Sequence, residues 1–318
     1  MVAYIVRRML HACVVVLLVS ILIFIIIRLL PGDPIIMLLN QSTGVSFTAE
    51  QIEDLRHQFG LDKPIPVQYK DWILDVLRGD FGISIINRYN IGAEIAKKLP
   101  VTLCLGLTSF VIGLIIGPIL GVISAVRRGK AVDTLVTIAA NIGITAPQFW
   151  VGILLIFLFG LKLGWLPIYG YTLPWEDFVM SVKQSVMPVV VLAMFPVASS
   201  ARQMRSSMIE VMHEDYIRTA WAKGLKEKAV IIRHAVKNSL IPVVTLQGLL
   251  LRNIVGGSVI VETVFVIPGM GKFMIDSMLA HDYTVVQACA FIMILVVVIS
   301  NLIVDLSYGW LDPRIRYD

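Results

Sequence analysis

Catalysis needs acids, bases, nucleophiles, metal ligands or phosphate cradles at defined spacing, and this chain is poor in all of them. Two Gly-Lys pairs, in "RRGKAV" and "PGMGKF", lack the upstream Gly and the following Ser or Thr of a G-x-x-x-x-G-K-[ST] phosphate loop. There is no H-E-x-x-H and no G-x-S-x-G. His11, His57, His213, His234 and His281 are scattered, and Cys13, Cys104 and Cys289 form no C-x-x-C pair and sit in apolar runs, so packing is their simplest use. The chain is expected to catalyse no covalent step, to bind no metal and to hold no cofactor of its own.

Two other groups of residues stand out. Arg252, Glu262 and Asp305 lie in apolar runs, where a charge is costly enough to need a reason. Glu262 and Asp305 are placed near the ends of their runs, within reach of headgroups or loops. Arg252 lies deeper, either paired with a carboxylate or carbonyl or on the wall of a path across the membrane, for which Asn141 is a second candidate. The other group is "EDYIRTAWAKGLKEKAVIIRHAVKNSLIPV", residues 214–243, rich in Lys and Arg and broken in its middle by "AKGL".

The elements that position these groups follow from composition. Charged residues make up 15% of the chain, against roughly 25% in soluble domains, and mean hydropathy is +0.83, so this is a polytopic membrane protein. Spanning the hydrocarbon layer takes about 20 mostly apolar residues in a helix that satisfies its own backbone. Six runs meet or approach that length: 9–30, 101–126, 134–161, 185–200, 239–266 and 285–306. The first has Arg7 and Arg8 before it but a long core and no small-x-small cleavage site, which reads as a retained helix rather than a signal peptide. With both termini inside, the inner pieces hold 15 Lys and Arg and the short outer loops hold three, Lys162, Lys183 and Lys272. That bias favours six spans, N-terminus in and C-terminus in. The expected organisation is residues 1–30 as tail and first span, 31–100 as an extracytoplasmic segment, and 101–318 as a core carrying a cytoplasmic loop at 201–238. The net charge of +5 suits anionic lipid and calls for no nucleic acid.

Within 31–100, Thr48 and Gln51 read as a capping box for a helix to about Gln58. A second helix, about Val67 to Arg78, places Tyr69, Trp72, Ile73 and Val76 on one face and stops at Gly79. It would lie on the bilayer surface or on the outer ends of the spans. Gly113, Gly117 and Gly121 recur every fourth residue, allowing close approach of another helix of this chain or of a partner. Pro118, Pro147, Pro188 and Pro196 each remove a backbone hydrogen bond and are expected to bend or break their spans.

In the 201–238 loop, Met208, Ile209, Met212, Tyr216 and Ala220 follow helical spacing, Gly224 permits a turn, and Leu225 to Lys237 can form a second helix ending before Pro242. Here the chain resembles the integral membrane permeases of ATP-binding cassette importers, in their dipeptide/oligopeptide and nickel branch. Their cytoplasmic loop carries E-A-A, three residues and G, and docks into a groove on a separate ATPase. In "RTAWAKG", Arg218 and Thr219 take the first two positions, Ala220 matches the second Ala and Gly224 the Gly; the Glu is absent, and Gly224 stands further from Pro242 than in sugar importers, as in the peptide branch. "YIVRRML", "LLPGDP", "GLDKP", "RGDFGIS", "AVRRGKAVD", "TAPQFW", "RSSMIEVMHEDYIRTA", "VETVFVIPGMG", "HDYTVVQA" and "DPRIRY" resemble that branch in order, so the resemblance covers essentially the whole chain.

The resemblance implies an all-α membrane protein of the type I importer permease fold in a prokaryotic inner (plasma) membrane. It implies a second, similar permease, two cytoplasmic ATPases that bind ATP and Mg²⁺, and an extracytoplasmic binding protein. Glu214, Asp215, Arg218, Thr219, Ala220, Ala222, Lys223, Gly224 and Leu225 would form the ATPase-coupling loop. Alternating access would carry dipeptides or oligopeptides, or alternatively nickel or another small solute. An ion-coupled secondary transporter would instead call for inverted repeats and midplane carboxylates, which the sequence does not display.

Overall fold

A computed structural model describes residues 2–29, 49–58, 60, 62–251, 256 and 258–311. Among the described residues the chain is helical, with one isolated bridge between Ile83 and Asn90. Five helices of the described residues are long and apolar enough to cross a membrane: Ile5–Leu29, Ile91–Val126, Phe178–Val211, Glu227–Leu251 and Tyr283–Leu306. A sixth span is obtained if the bent pair Ala131–Thr145 and Gln148–Lys162 is counted as one. The chain divides into two compact units, Met1–Val101 with Pro268–Asp318, and Thr102–Ile267.

The first unit holds α1 (Val2–Leu29), α2 (Ala49–Gln58), α3 (Ile65–Leu77), the start of α4 (Ile91–Val126), α11 (Met270–Leu279) and α12 (Tyr283–Leu311). The end of α2 at Gln58 matches the sequence reading; its proposed cap, Thr48, lies outside the described residues. α3 starts after Pro64, with a proline in its first turn where no N–H partner is lost, and stops at Arg78 before Gly79 at φ +83°. Its aromatic face packs on two spans. Phe24 meets Tyr69 edge-on at 5.5 Å and Trp72 at 5.8 Å, and Trp72 meets Phe291 at 5.6 Å. Ser20 Oγ and Tyr69 Oη lie 2.8 Å apart, and Arg28 Nε donates to Gln68 Oε1 at 2.9 Å. α3 is therefore a strut on the ends of α1 and α12. Asp305 lies on α12 and pairs with Arg8 of α1 at 3.0 Å. Buried Ser84 donates to the carboxylate of buried Asp282, which tethers the loop after α3 to the start of α12.

The second unit holds the rest of α4, then α5 (Ala131–Thr145), α6 (Gln148–Lys162, π-helical from Ile156), α7 (Phe178–Val211), α8 (Asp215–Ala222), α9 (Glu227–Leu251, π-helical over Val230–Val236) and α10 (Ser258–Val264). The glycine stripe of α4 is used inside the chain. A Cβ on Gly113 would stand 2.5 Å from Pro196 Cβ, one on Gly117 2.5 Å from Ser200 Cβ, and one on Gly121 2.5 Å from the Ala201 carbonyl. Backbone-to-backbone contact with α7 is possible only because those side chains are missing. Helix continues through Pro118, Pro188 and Pro196, whereas at Pro147 the chain breaks by 107° between α5 and α6.

Two expectations are corrected. The second loop helix does not stop before Pro242 but runs through it to Leu251; the exposed proline removes one backbone hydrogen bond without ending the helix. Glu262 is not solvated near a membrane face. It is fully buried and Thr102 Oγ1 donates to its Oε1 at 2.7 Å, because the chain turns back after α10 and Ile267 N donates to the Glu262 carbonyl at 2.8 Å.

Candidate functional site

The charged stretch singled out by the sequence becomes a short helix held between two long ones. α7 delivers the chain to Val211, and a turn follows in which His213 N donates to Glu210 O and Glu214 N to Val211 O. Glu214, in extended conformation, precedes α8. At eight residues α8 is too short to be stable alone, so tertiary contacts must hold it. Ile217 and Ala220 supply them: both are buried in a cluster with Met204 and Met208 of α7 and Val230, Ala235 and Val243 of α9. Burying a side chain the size of Ile217 is worth about 1.5–3 kcal/mol. Asn238 Nδ2 of α9 adds a hydrogen bond to Tyr216 Oη at 2.8 Å.

The other side of α8 is bare. Asp215, Arg218, Thr219, Trp221, Ala222 and Lys223 are exposed, as are Gly224 and Leu225 beyond its end. Arg218 and Asp215 approach to 3.5 Å one turn apart, a surface pair worth little, and Thr219 Oγ1 donates to the Asp215 carbonyl at 2.9 Å. The helix ends in a Schellman motif: Gly224 N donates to Trp221 O at 2.9 Å and Leu225 N to Ala220 O at 3.4 Å, with Gly224 at φ +76°. A residue with a Cβ resists that angle, although no atom of the described residues lies within 4 Å of where the Cβ would sit. The result is an exposed ridge on a packed base. Because the base joins α7 to α9, a force applied to the ridge reaches two spans.

The sequence-predicted loop residues Glu214, Asp215, Arg218, Thr219, Ala220, Ala222, Lys223, Gly224 and Leu225 thus fall on one element, with Ala220 in its base and the others outside. Tyr216, placed on the buried stripe by spacing, is half-exposed, and Ile217 takes the inward position. The turn at Met212–Glu214 resets the helical phase, so spacing counted from Met208 lands one residue early. Of the two path candidates, Asn141 is exposed on α5, and Arg252 lies outside the described residues.

A second feature escaped the sequence reading. Asp133, buried at the start of α5, accepts from Ser124 Oγ at 2.5 Å, from Gly129 N at 2.9 Å, and from Arg205 of α7. Only the acidic first turn of α5 hinted at it.

Comparison with known proteins adds to this geometry. Residues 117–317 match the family described as binding-protein-dependent transport system inner membrane component, and residues 1–106 match the N-terminal family of the same membrane components. A putative peptide transport system permease protein of Brucella abortus (strain 2308) is 39% identical over 319 residues, covering all of both chains. The oligopeptide transport system permease protein AppB of Bacillus subtilis (strain 168) is 39% identical over 320 residues, again covering all of both. The glutathione transport system permease protein GsiC of Escherichia coli (strain K12) is 38% identical over 317 residues, with complete coverage of both. Among solved structures, a chain of the MetNI methionine ABC transporter in inward-facing conformations matches 69% of this chain and 97% of its own length, with a TM-score of 0.55 and 17% identity. At that identity it shows a shared fold.

Proposed function

The chain belongs to the binding-protein-dependent transport system inner membrane components, multi-pass proteins of the prokaryotic inner membrane, and we propose that it is the permease subunit of an ATP-driven importer of dipeptides or oligopeptides. The relatives named for peptide, oligopeptide and glutathione transport, each matched over the full length, support a peptide cargo over nickel or another small solute.

In this reading the pore is made with a second, similar permease, cargo is handed over by an extracytoplasmic binding protein, and two cytoplasmic ATPases hold ATP and Mg²⁺ while this chain binds neither. Residues 31–100 help seat the binding protein. Glu214, Asp215, Arg218, Thr219, Ala222, Lys223, Gly224 and Leu225 contact the ATPase groove, with exposed Trp221 beside them, and Ala220 anchors the ridge. The observation that carries the reading is the exposed ridge of α8 on a base shared by α7 and α9. ATP-driven closure of the ATPases pulls α8, and the two spans follow, provided the inward and outward states differ in docking energy. Copurification in detergent tests it: the chain retains an ABC ATPase, and proton- or sodium-driven uptake by the chain alone would contradict it.

A further inference from the structure

One face of α5 carries an arrangement that packing among the described residues does not explain. The exposed residues of this helix divide into two stripes. Leu135, Ile138, Ala139 and Ile142 form an apolar one, beside a groove lined also by Val136, Met194 and Val197. Lipid suits it. Thr134, Thr137, Asn141 and Thr145, at spacings of three, four and four, form a second stripe that is polar along its whole length, roughly 16 Å at about 1.5 Å per residue. The remaining side, with Asp133, Ala140 and Gly143, packs inside the unit, where a Cβ on Gly143 would stand 2.9 Å from Ala198 Cβ.

A hydrocarbon environment offers the polar stripe nothing. Thr145 Oγ1 satisfies itself by donating to the Asn141 carbonyl at 2.8 Å, but the Asn141 carboxamide meets no partner among the described residues and is exposed. The stripe also ends at the break between Thr145 and Gln148, where Pro147 is exposed and brings no N–H. Irregular backbone at membrane depth is tolerated only where protein buries it or water reaches it. Two independent features of one face therefore call for a polar neighbour.

We propose that Thr134, Thr137, Asn141 and Thr145 form a wall of the translocation path and hydrogen-bond the main-chain amides of peptide in transit. The inference rests on the peptide-import reading and names the chemistry by which this chain handles that cargo. Hydroxyls and a carboxamide carry donors and acceptors without charge. They match the N–H and C=O groups that every peptide presents whatever its side chains, and they give a charged solute no counter-ion.

The test uses the whole transporter in proteoliposomes, with second permease, ATPases and binding protein, after Cys13, Cys104 and Cys289 are replaced. Single cysteines are placed at 137, 141 and 145, with 135 and 142 as controls, and treated with a charged methanethiosulfonate reagent. Labelling at 137, 141 and 145, slowed by peptide-loaded binding protein with ATP while 135 and 142 stay unlabelled, supports the proposal. No labelling at the three positions while peptide uptake persists places the stripe against another chain or lipid. Labelling that peptide does not slow removes cargo contact; either result overturns the proposal and leaves peptide import standing. Failure of the import reading shows separately, as absence of peptide uptake by the unmodified complex. Asn141→Leu is expected to lower peptide uptake about five-fold with ATPase copurification unchanged; uptake equal to that of the unmodified transporter also overturns the proposal.

Discussion

Arg205 of α7 grips Asp133 of α5 with two parallel hydrogen bonds, Nε to Oδ1 at 2.7 Å and Nη2 to Oδ2 at 2.9 Å. The two residues are 72 positions apart, and Ser124 and Gly129 complete the carboxylate's partners. The clamp therefore joins α4, α5 and α7 at one point. Fork-to-carboxylate geometry is among the stronger arrangements available to an ion pair, and Asp133 is buried, so losing one member leaves the other exposed to a costly vacancy. Asp133→Ala is expected to lower the stability of the purified protein by about 2–3 kcal/mol. Thermal unfolding in detergent measures it, and a double-mutant cycle with Arg205→Met should recover part of the loss.

The glycine stripe gives a steric prediction. Gly117→Ala puts a Cβ 2.5 Å from Ser200 Cβ and 2.8 Å from the Val197 carbonyl, so α4 and α7 must move apart at a cost of about 1–3 kcal/mol. Gly256→Ala meets nothing within 4 Å among the described residues and serves as the control. Yield and melting temperature of the two variants should differ in that order.

Ser84 and Asp282 make the corresponding long-range tie in the other unit. Ser84→Ala leaves the buried Asp282 carboxylate short of a donor and the Asn87 N–H without the Ser84 oxygen it meets at 2.8 Å, a cost of about 1–3 kcal/mol. Limited proteolysis should find the 79–90 loop cut faster in this variant.

In the proposed reading, residues 31–100 lie outside the membrane and seat the binding protein through the outward side of α3. Lys70, Leu74 and Leu77 are exposed there, while Tyr69, Trp72 and Val76 hold the strut in place. Substituting the three outward residues should weaken delivery from the binding protein in an uptake assay and leave assembly intact. Unchanged delivery would remove this role.

Local pattern made part of this structure legible. Apolar run length marks the spans, the spacing of Tyr69, Trp72 and Val76 picks the face of α3 that packs, and a lone glycine amid helix formers marks the turn at Gly224. Side-chain partners distant in sequence leave no such mark. Glu262 reads as an acid near the end of a run until Thr102, 160 residues away, is seen donating to it, and Asp133 looks like an ordinary first-turn acid until Arg205 arrives. Phase was the other blind spot: a three-residue turn before α8 moves the buried position from Tyr216 to Ile217. The π-helical turns at Ile156–Lys162 and Val230–Val236 carry no sequence signal of their own.

Force transfer through α8 can be read from ATP-dependent peptide uptake by the reconstituted transporter carrying Gly224→Asp. The substitution strains the left-handed turn at φ +76° and places a charge on the exposed ridge, where no described atom lies within 4 Å of the added Cβ. The variant is expected to insert and fold normally yet no longer to couple ATP hydrolysis to uptake. Uptake at the unmodified rate would contradict force transfer through α8.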